Sequence, residues 1–505
     1  MKVLGIHIDH LSSACIIEDG KLIYYNQEER LSKKRKDLRF PFYCIDQIKE
    51  KFKKIDYCAV TGYNIKIGQN ELISKYLVHI GLIKDIEDCY FFDYSHHLAH
   101  AVKAYYSSGF KKAIIFVVDG RGSVYENGFE SSSIFKWDSD LSLIHKNIVT
   151  NVKDMGQFYS NVSEFLSWKN EEGKLMGLAP YGSPNTLIKK ELHTNIFSKE
   201  HPEQTSENFK KYALQHKEDL AYETQTYFES RYLDMVKKHI IPGYDIIMTG
   251  GTSLNVTNNY KIRQYLPKET NLYVEPVCGD EGNSIGIAIW LLVSVFKKQN
   301  INTDSISNIY LNPTYKHTIS SGTDYIDNAI NILLNKKVLA LYQGSAEAGP
   351  RALGNRSLLL DPRISNGKDI MNKIKNRESF RPFACSVIEE KAHEWFDMTK
   401  IKTSPHMMYA IKVKDNKKNI IPSVVHVDDT CRIQTVNEKT NPILYKLLVS
   451  FYSKTGVPLL MNTSFNLAGQ PMVETPEDAI ETFKTSNIEY LYFPEINKID
   501  RKSVV

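Results

Sequence analysis

Ala113-Ile114-Ile115-Phe116-Val117-Val118 runs directly into Asp119-Gly120-Arg121-Gly122, and Asp245-Ile246-Ile247-Met248 runs into Thr249-Gly250-Gly251-Thr252. Short apolar runs that end on polar, glycine-bearing turns read as buried strands of an α/β sheet with ligand loops at their carboxyl ends. Helical patterns follow at 256–265 and 282–296. Toward the amino terminus, residues 3–8, 14–18 and 21–26 read as three strands, the last two joined by Asp19-Gly20, a dipeptide suited to a two-residue hairpin turn, so an antiparallel start is expected. Between 297 and 324 the composition shifts to Asn, Ser, Thr and Lys, which marks a boundary between a domain at 1–310 and another at 325–505. Beyond it, 338–342, 385–388 and 457–461 read as strands of a second mixed α/β domain. No internal repeat is visible.

The chain has 505 residues, too many for one core. Its 64 basic and 59 acidic residues leave a formal charge of +5, which argues against a general nucleic-acid binder and permits a local anion site. Seven cysteines, with no Cys-x-x-Cys pair, fit reduced thiols better than a disulfide framework or a zinc ribbon. The first residues turn polar too early for a signal peptide, and no apolar run reaches the ~18 residues of a membrane span. A cytoplasmic protein without membrane contact is expected.

His96-His97-Leu98-Ala99-His100 opens a helical stretch, so His96 and His100 share one face and can hold one divalent ion, completed by a carboxylate such as Asp119 or Asp280. No Glu follows the first histidine, which sets aside the His-Glu-x-x-His proteases. The turns at 250–255 and 279–283, and a third at 173–182 carrying Lys174, offer backbone amides to phosphates without fitting a P-loop or dinucleotide fingerprint.

Residues 345–363 set Arg351, Arg356 and Arg363 around Gly349 and Gly354, and Lys373, Lys375, Arg377 and Arg381 follow. Guanidinium forks on a glycine-interrupted turn point to an anionic ligand. Arg432 lies in a strand-like segment, where a cation requires a salt bridge or a ligand. Asn462-Thr463-Ser464-Phe465-Asn466 ends an apolar run with groups suited to orienting a carbamoyl or carboxylate. His10, just past the first strand, is a candidate general base, with a structural histidine as the plain alternative.

In order, these segments resemble the O-carbamoyltransferases of antibiotic and nodulation-factor biosynthesis, which move carbamoyl from carbamoyl phosphate to a hydroxyl using ATP. The matching blocks are His10 with Ser12-Ser13-Ala14, 96–100, Asp119-Gly120, 173–182, 250–255, 279–283, 349–357, 380–383 and 462–466. The resemblance implies an actin-like ATPase domain similar to the tRNA threonylcarbamoyladenosine transferases, then a domain similar to the threonylcarbamoyl-adenylate synthases. It implies that His96, His100, Asp119 and Asp280 hold a divalent metal (iron, zinc or manganese), and that Gly120, Lys174, Gly250, Gly251, Asn255 and Asn283 border a nucleotide supplied as ATP with Mg2+. It further implies that Arg351, Arg356, Lys375, Arg381, Arg432, Ser464 and Asn466 bind carbamoyl phosphate, with Lys375 and Arg432 acting in catalysis and His10 as the base.

Carbamoyl-adenylate would be the intermediate, enclosed from water, and the acceptor a sugar, an antibiotic or a modified nucleotide; a homodimer is compatible. Leu11 stands where the family usually has Asp, and Ser345 where it usually has Arg, which implies a remodelled anion pocket. The alternatives are a hydroxymethylated nucleobase as acceptor and a non-catalytic, ATP-gated scaffold. A hydrogenase-maturation carbamoyltransferase is disfavoured because the zinc-finger cysteines of such a chain are missing.

Overall fold

Asp19 and Gly20 take positive φ of 48° and 82°, the conformation of a two-residue hairpin turn, and join β2 (Ser13–Glu18) to β3 (Lys21–Gln27). The structure, a computed structural model, describes residues 1–62, 67–149, 155–193, 207–298, 300–314 and 326–502. Residues 299 and 315–324 of the expected linker, and 325 at the start of the expected second domain, lie outside the described residues. The chain forms two units, Met1–Ser32 with Lys36–Ile309, and Tyr310–Val505 with Lys33–Arg35.

In the first unit, β1 (Lys2–His7) pairs antiparallel with β2 and parallel with β4 (Tyr57–Thr61), and β5 (Cys89–Phe91) completes the order β3-β2-β1-β4-β5. A second sheet contains β6 (Ala113–Val118), β7 (Val124–Tyr125), β8 (Gly128–Trp137), β9 (Leu141–Val149), β10 (Asp245–Thr249) and β11 (Leu272–Val274). Its order is β11-β10-β6-β8-β7, with β9 also on β8. Leaving aside the two-residue β7, the path β9-β8-β6-β10-β11 repeats the first sheet strand for strand, with three antiparallel members followed by two parallel ones. This duplication is the actin-like arrangement. No repeat is visible in the sequence itself, because many apolar residues satisfy the same strand position and a shared topology leaves no shared spelling.

The second unit is a mixed α/β unit built on β12 (Leu339–Tyr342), β13 (Arg356–Leu360), β14 (Ala384–Ile388), β15 (Ala410–Lys412), β16 (Thr430–Val436), β17 (Leu459–Ser464), β18 (Tyr490–Phe493) and β19 (Lys498–Arg501). They form one sheet in the order β15-β16-β14-β17-β13-β12-β18-β19. The inner strands β12, β13 and β14 are buried at every residue, as expected of a sheet covered on both faces. One expected helix, Val256–Tyr265, has the bounds read from the sequence, whereas that over 282–296 is α-helical only at Asn283–Trp290 and continues in a wider turn at Leu291–Val295.

Candidate functional site

The apolar strand β6 ends on Asp119, and the adjacent parallel strand β10 ends on the Gly250-Gly251 turn. Gly250 has φ of 85°, and a Cβ there would lie 2.4 Å from the Val118 carbonyl oxygen, so no other residue fits. The turn is thereby pressed against β6, and Asp119 Oδ1 accepts the N–H groups of Gly120 (2.7 Å) and Gly251 (3.3 Å). With one oxygen held this way, Oδ2 faces the histidine helix His96–Ser108. That helix crosses Asn283–Trp290 with no side chain between the backbones: a Cβ on Gly286 would fall 2.0 Å from the Ala99 carbonyl. The crossing brings Asp280 and Asn283 onto the face that carries His96 and His100.

His96 Nε2, His100 Nε2, Asp119 Oδ2 and Asp280 Oδ1 converge. His96 Nε2 lies 3.3 Å from each carboxylate oxygen, His100 Nε2 lies 3.3 Å from each, and the two ring nitrogens are 3.3 Å apart. All four donor atoms lie within 4.8 Å of one another, a cluster of two imidazole nitrogens and two carboxylate oxygens that one divalent ion could share. All four residues are buried.

The electrostatics favour a cation in the same place. Burial works against a protonated His96, but Asp280 and then Asp119 overcome it and push its pKa up to about 10. Asp280 is held well below the usual carboxylate range, against burial, by the two histidines. Two buried carboxylates thus require positive charge, which a divalent ion would supply. Two nitrogens and two oxygens suit zinc, iron or manganese.

The other first-unit candidates make contacts of their own. Asn283 Nδ2 lies 3.4 Å from His96 Nδ1, the ring nitrogen behind that donor, and 3.3 Å from His100 Nε2. Asn255 caps the helix Val256–Tyr265 by accepting from the Asn258 N–H, and exchanges two 3.0 Å hydrogen bonds with Gln225, so its amide is committed. Lys174 pairs with Glu171 at 2.6 Å and lies over Trp168. Gly120 faces open space.

His10 occupies the β1–β2 loop between Asp9 and Leu11, both with positive φ (95° and 58°). Its carbonyl stands 3.2 Å from Nε2 of buried His7, whose ring centroid is 5.7 Å from that of His96. The strained loop is therefore fastened to the histidine cluster. His7 escaped the sequence reading, although a histidine between Ile6 and Ile8 in a strand is a signal of buried polar chemistry.

In the second unit a group of cations gathers on β16, at the end of β17 and in the turn after the helix Gly367–Lys375. Lys375 donates to the Ser464 carbonyl (2.5 Å) and hydroxyl (3.3 Å) and to the Asn466 carbonyl and Oδ1 (both 2.9 Å). Burial, then Arg377 and Arg381, depress its pKa well below the usual range. Arg432 is depressed likewise, by burial, Arg351 and Arg377. Among the described residues Arg432 Nε and Arg377 Nη2 are buried without a hydrogen-bond partner. Arg377, absent from the expected ligands, stacks on Phe383 at 4.2 Å and donates from Nε to Asn372. Like charges held together and incompletely satisfied are a cradle for an anion.

Two arginines of the 345–363 run do something else. Arg356 is fully buried, lies 3.7 Å over the Tyr342 ring, and donates to the carbonyls of Gln343, Asn355, Gly344 and Glu474. Its two Nη atoms brace the loop, and its Nε is buried without a hydrogen-bond partner among the described residues. Arg363 pairs with Asp361 at 2.6 Å. Asn462, fully buried, joins Ser386 and Gln434 in a network within the sheet, which leaves Ser464 and Asn466 as the accessible end of that run. Ser345 bonds Thr314 at 2.6 Å.

Comparison with known proteins gives this arrangement its relatives. The carbamoyltransferase N-terminus family matches residues 60–289 and the carbamoyltransferase C-terminus family residues 330–498. The nodulation protein NolO of Bradyrhizobium diazoefficiens is 30% identical over 79% of this chain and 77% of its own. An uncharacterised protein of Methanocaldococcus jannaschii is 34% identical, covering 79% and 72%. The 3'-hydroxymethylcephem-O-carbamoyltransferase of Streptomyces clavuligerus is 26% identical over 95% of both chains. Among solved structures, HypF of T. kodakarensis aligns over 61% of this chain and 49% of its own, at 11% identity and a TM-score of 0.37. With both halves matched in order and the relatives spanning most of its length, the chain is a transferase and belongs to the carbamoyltransferase family.

Proposed function

We propose that the protein is an ATP-dependent O-carbamoyltransferase that forms carbamoyl-adenylate in its second unit and passes the carbamoyl group to an acceptor hydroxyl in its first. The observation that carries this reading is the cation group of Arg351, Lys375, Arg377, Arg381 and Arg432, with buried donors left over on Arg377 and Arg432. Carbamoyl phosphate supplies the missing acceptors. Its phosphate engages the guanidiniums as paired oxygens, while Ser464 and Asn466 hold the Lys375 ammonium in place.

One water attacks the carbamoyl carbon and the C–O bond to phosphate breaks, releasing inorganic phosphate and carbamate; a carbamate oxygen then attacks the α-phosphate of ATP and expels pyrophosphate. The adenylate is a better leaving group than hydroxide, and the fixed cations stabilise the charge that develops. In the first unit His96, His100, Asp119 and Asp280 would hold a divalent ion that acts as a Lewis acid toward the transferring group or its phosphate. His10 takes the acceptor's proton as its oxygen attacks the carbamoyl carbon, and AMP leaves. Gly250 and Gly251 border the nucleotide there.

The relative named for a hydroxymethylcephem supports a small hydroxylated acceptor. Incubation with carbamoyl phosphate, ATP labelled in the γ-phosphate and a panel of alcohols should release labelled pyrophosphate and yield products heavier by one carbamoyl group. Absence of carbamoyl-phosphate-dependent exchange of pyrophosphate into ATP, under every divalent metal, would remove the reading.

A further inference from the structure

Two tyrosines beside the histidine cluster have no part in the chemistry above. Tyr94, two residues before His96, is 56% exposed, has φ of 54°, and stacks on Tyr125 with ring centroids 4.6 Å apart and planes 20° from parallel. A bulky residue in the left-handed region at the surface is uncommon, and the conformation persists only where surroundings enforce it. They do so here through a chain of contacts reaching the interior. Lys146 donates to the Tyr125 hydroxyl at 2.7 Å and pairs with buried Glu130 at 3.1 Å. Glu130 accepts from Ser133 at 3.0 Å, and Ser133 Oγ lies 2.9 Å from Nδ1 of buried His97. The His96 N–H donates to Ser123 Oγ at 3.2 Å, which ties the loop carrying Tyr125 to the start of the histidine helix. A surface ring pair anchored in this way is rigid, sits beside the donor set, and presents an aromatic face to solvent.

We propose that Tyr94, seated on Tyr125, is the platform on which the acceptor stacks, so that the hydroxyl to be modified is carried by a ring with a flat or apolar face. The inference rests on the O-carbamoyltransferase reading and narrows its substrate class to cyclic alcohols. A sugar offers an apolar face of C–H groups and a nucleoside offers its base; both stack on tyrosine, and an open-chain alcohol has no face to place. The rigid pair spares the ordering cost that a mobile loop would impose.

The test compares a methyl pyranoside, a nucleoside and glycerol as acceptors for isotopically labelled carbamoyl phosphate, in the native protein and in Tyr94→Ala, Tyr94→Phe and Lys146→Met. The native enzyme should favour at least one ring acceptor over glycerol by about 5- to 150-fold in kcat/KM, the range that one stacking face supplies. Tyr94→Ala should bring that ratio close to one, Tyr94→Phe should keep it, and Lys146→Met, which frees Tyr125, should reduce it. Saturation-transfer NMR of the same three compounds reads the preference without turnover, through ring protons that lose their signal in Tyr94→Ala. Equal use or binding of glycerol and both rings by the native protein, or a preference that survives Tyr94→Ala, overturns the platform while leaving carbamoyl transfer standing. A native protein without carbamoyl-phosphate-dependent pyrophosphate exchange overturns both.

Discussion

Replacing Arg432 by methionine should make the second unit more stable and at the same time remove its response to ligand. Arg432 Nε is buried with no hydrogen-bond partner among the described residues, and the neighbouring charges of Arg351, Arg377 and Arg381 oppose its own. A buried donor left unpartnered costs about 1–3 kcal/mol. Methionine retains an unbranched apolar stem in β16 and removes both donor and charge. In phosphate-free buffer the Arg432→Met variant should therefore gain about 1–3 kcal/mol, and at about 2–4 °C per kcal/mol for a unit of this size its thermal transition should rise by about 2–12 °C.

Ligand reverses the order. Carbamoyl phosphate at a hundred times its dissociation constant stabilises the native unit by about 2.7 kcal/mol through mass action, and the variant, lacking the central cation, should gain little. Differential scanning calorimetry with and without carbamoyl phosphate, and with inorganic phosphate as the simpler anion, measures both effects. A ligand-free variant that melts below the native protein, or one that gains as much from carbamoyl phosphate, would show that Arg432 is held for the fold and not for an anion.

Arg356→Ala should act in the opposite sense, because four carbonyls lose their donor in the interior; urea titration should show the second unit weakened by about 3–5 kcal/mol with or without phosphate. Asn283→Ala, which removes the amide from His96 Nδ1, should weaken metal retention by about 10- to 100-fold as a second-layer change, and His100→Ala by more, both read by dialysis against zinc and elemental analysis; equal retention in all three proteins would argue against a metal at this site. Gly250→Ala should lower the stability of the first unit by more than about 1 kcal/mol, since both its φ of 85° and the 2.4 Å approach to Val118 exclude a side chain. For Glu130, burial is outweighed by His97 and Lys146, which bring its pKa down to about 2. A carboxylate lowered on folding contributes stability that is complete above its unfolded pKa of about 4.3 and is lost as pH falls through the folded value. The stability difference between native protein and Glu130→Gln should therefore shrink as pH is lowered from about 4.5 to 2, and a pH-independent difference would mean that the Glu130 charge is not engaged.

Much of the site was legible because its signals are local. The i, i+4 spacing of His96 and His100, the apolar run ending on Asp119, and the Gly250-Gly251 turn are each contained in a few residues and follow from helix and strand geometry alone. The same locality hides the partners that each side chain meets. Three arginines within 345–363 look alike in sequence, and nothing in their spacing separates Arg356, wrapped in carbonyls from Gln343 to Glu474, from Arg351, which faces other cations. Asn255 and Asn283 both head helices; which one caps a helix and which one backs a histidine depends on the partners that packing delivers, Gln225 in one case and His96 in the other.

By itself the sequence determined the elements and their chemistry: alternation and turn residues set the hairpin at Asp19-Gly20 and the buried strands, and residue type set where imidazole, carboxylate and guanidinium could appear. Tertiary structure alone decided that four donors separated by up to 184 positions would come within 4.8 Å of one another, that a strand order would be used twice, and that Arg432 would face other cations while Arg356 met four carbonyls. The reason is physical. Local propensity acts over a turn or a strand, whereas the distance between groups far apart in the chain is fixed only when backbones meet, as at Gly286 against Ala99, and exclude every other arrangement.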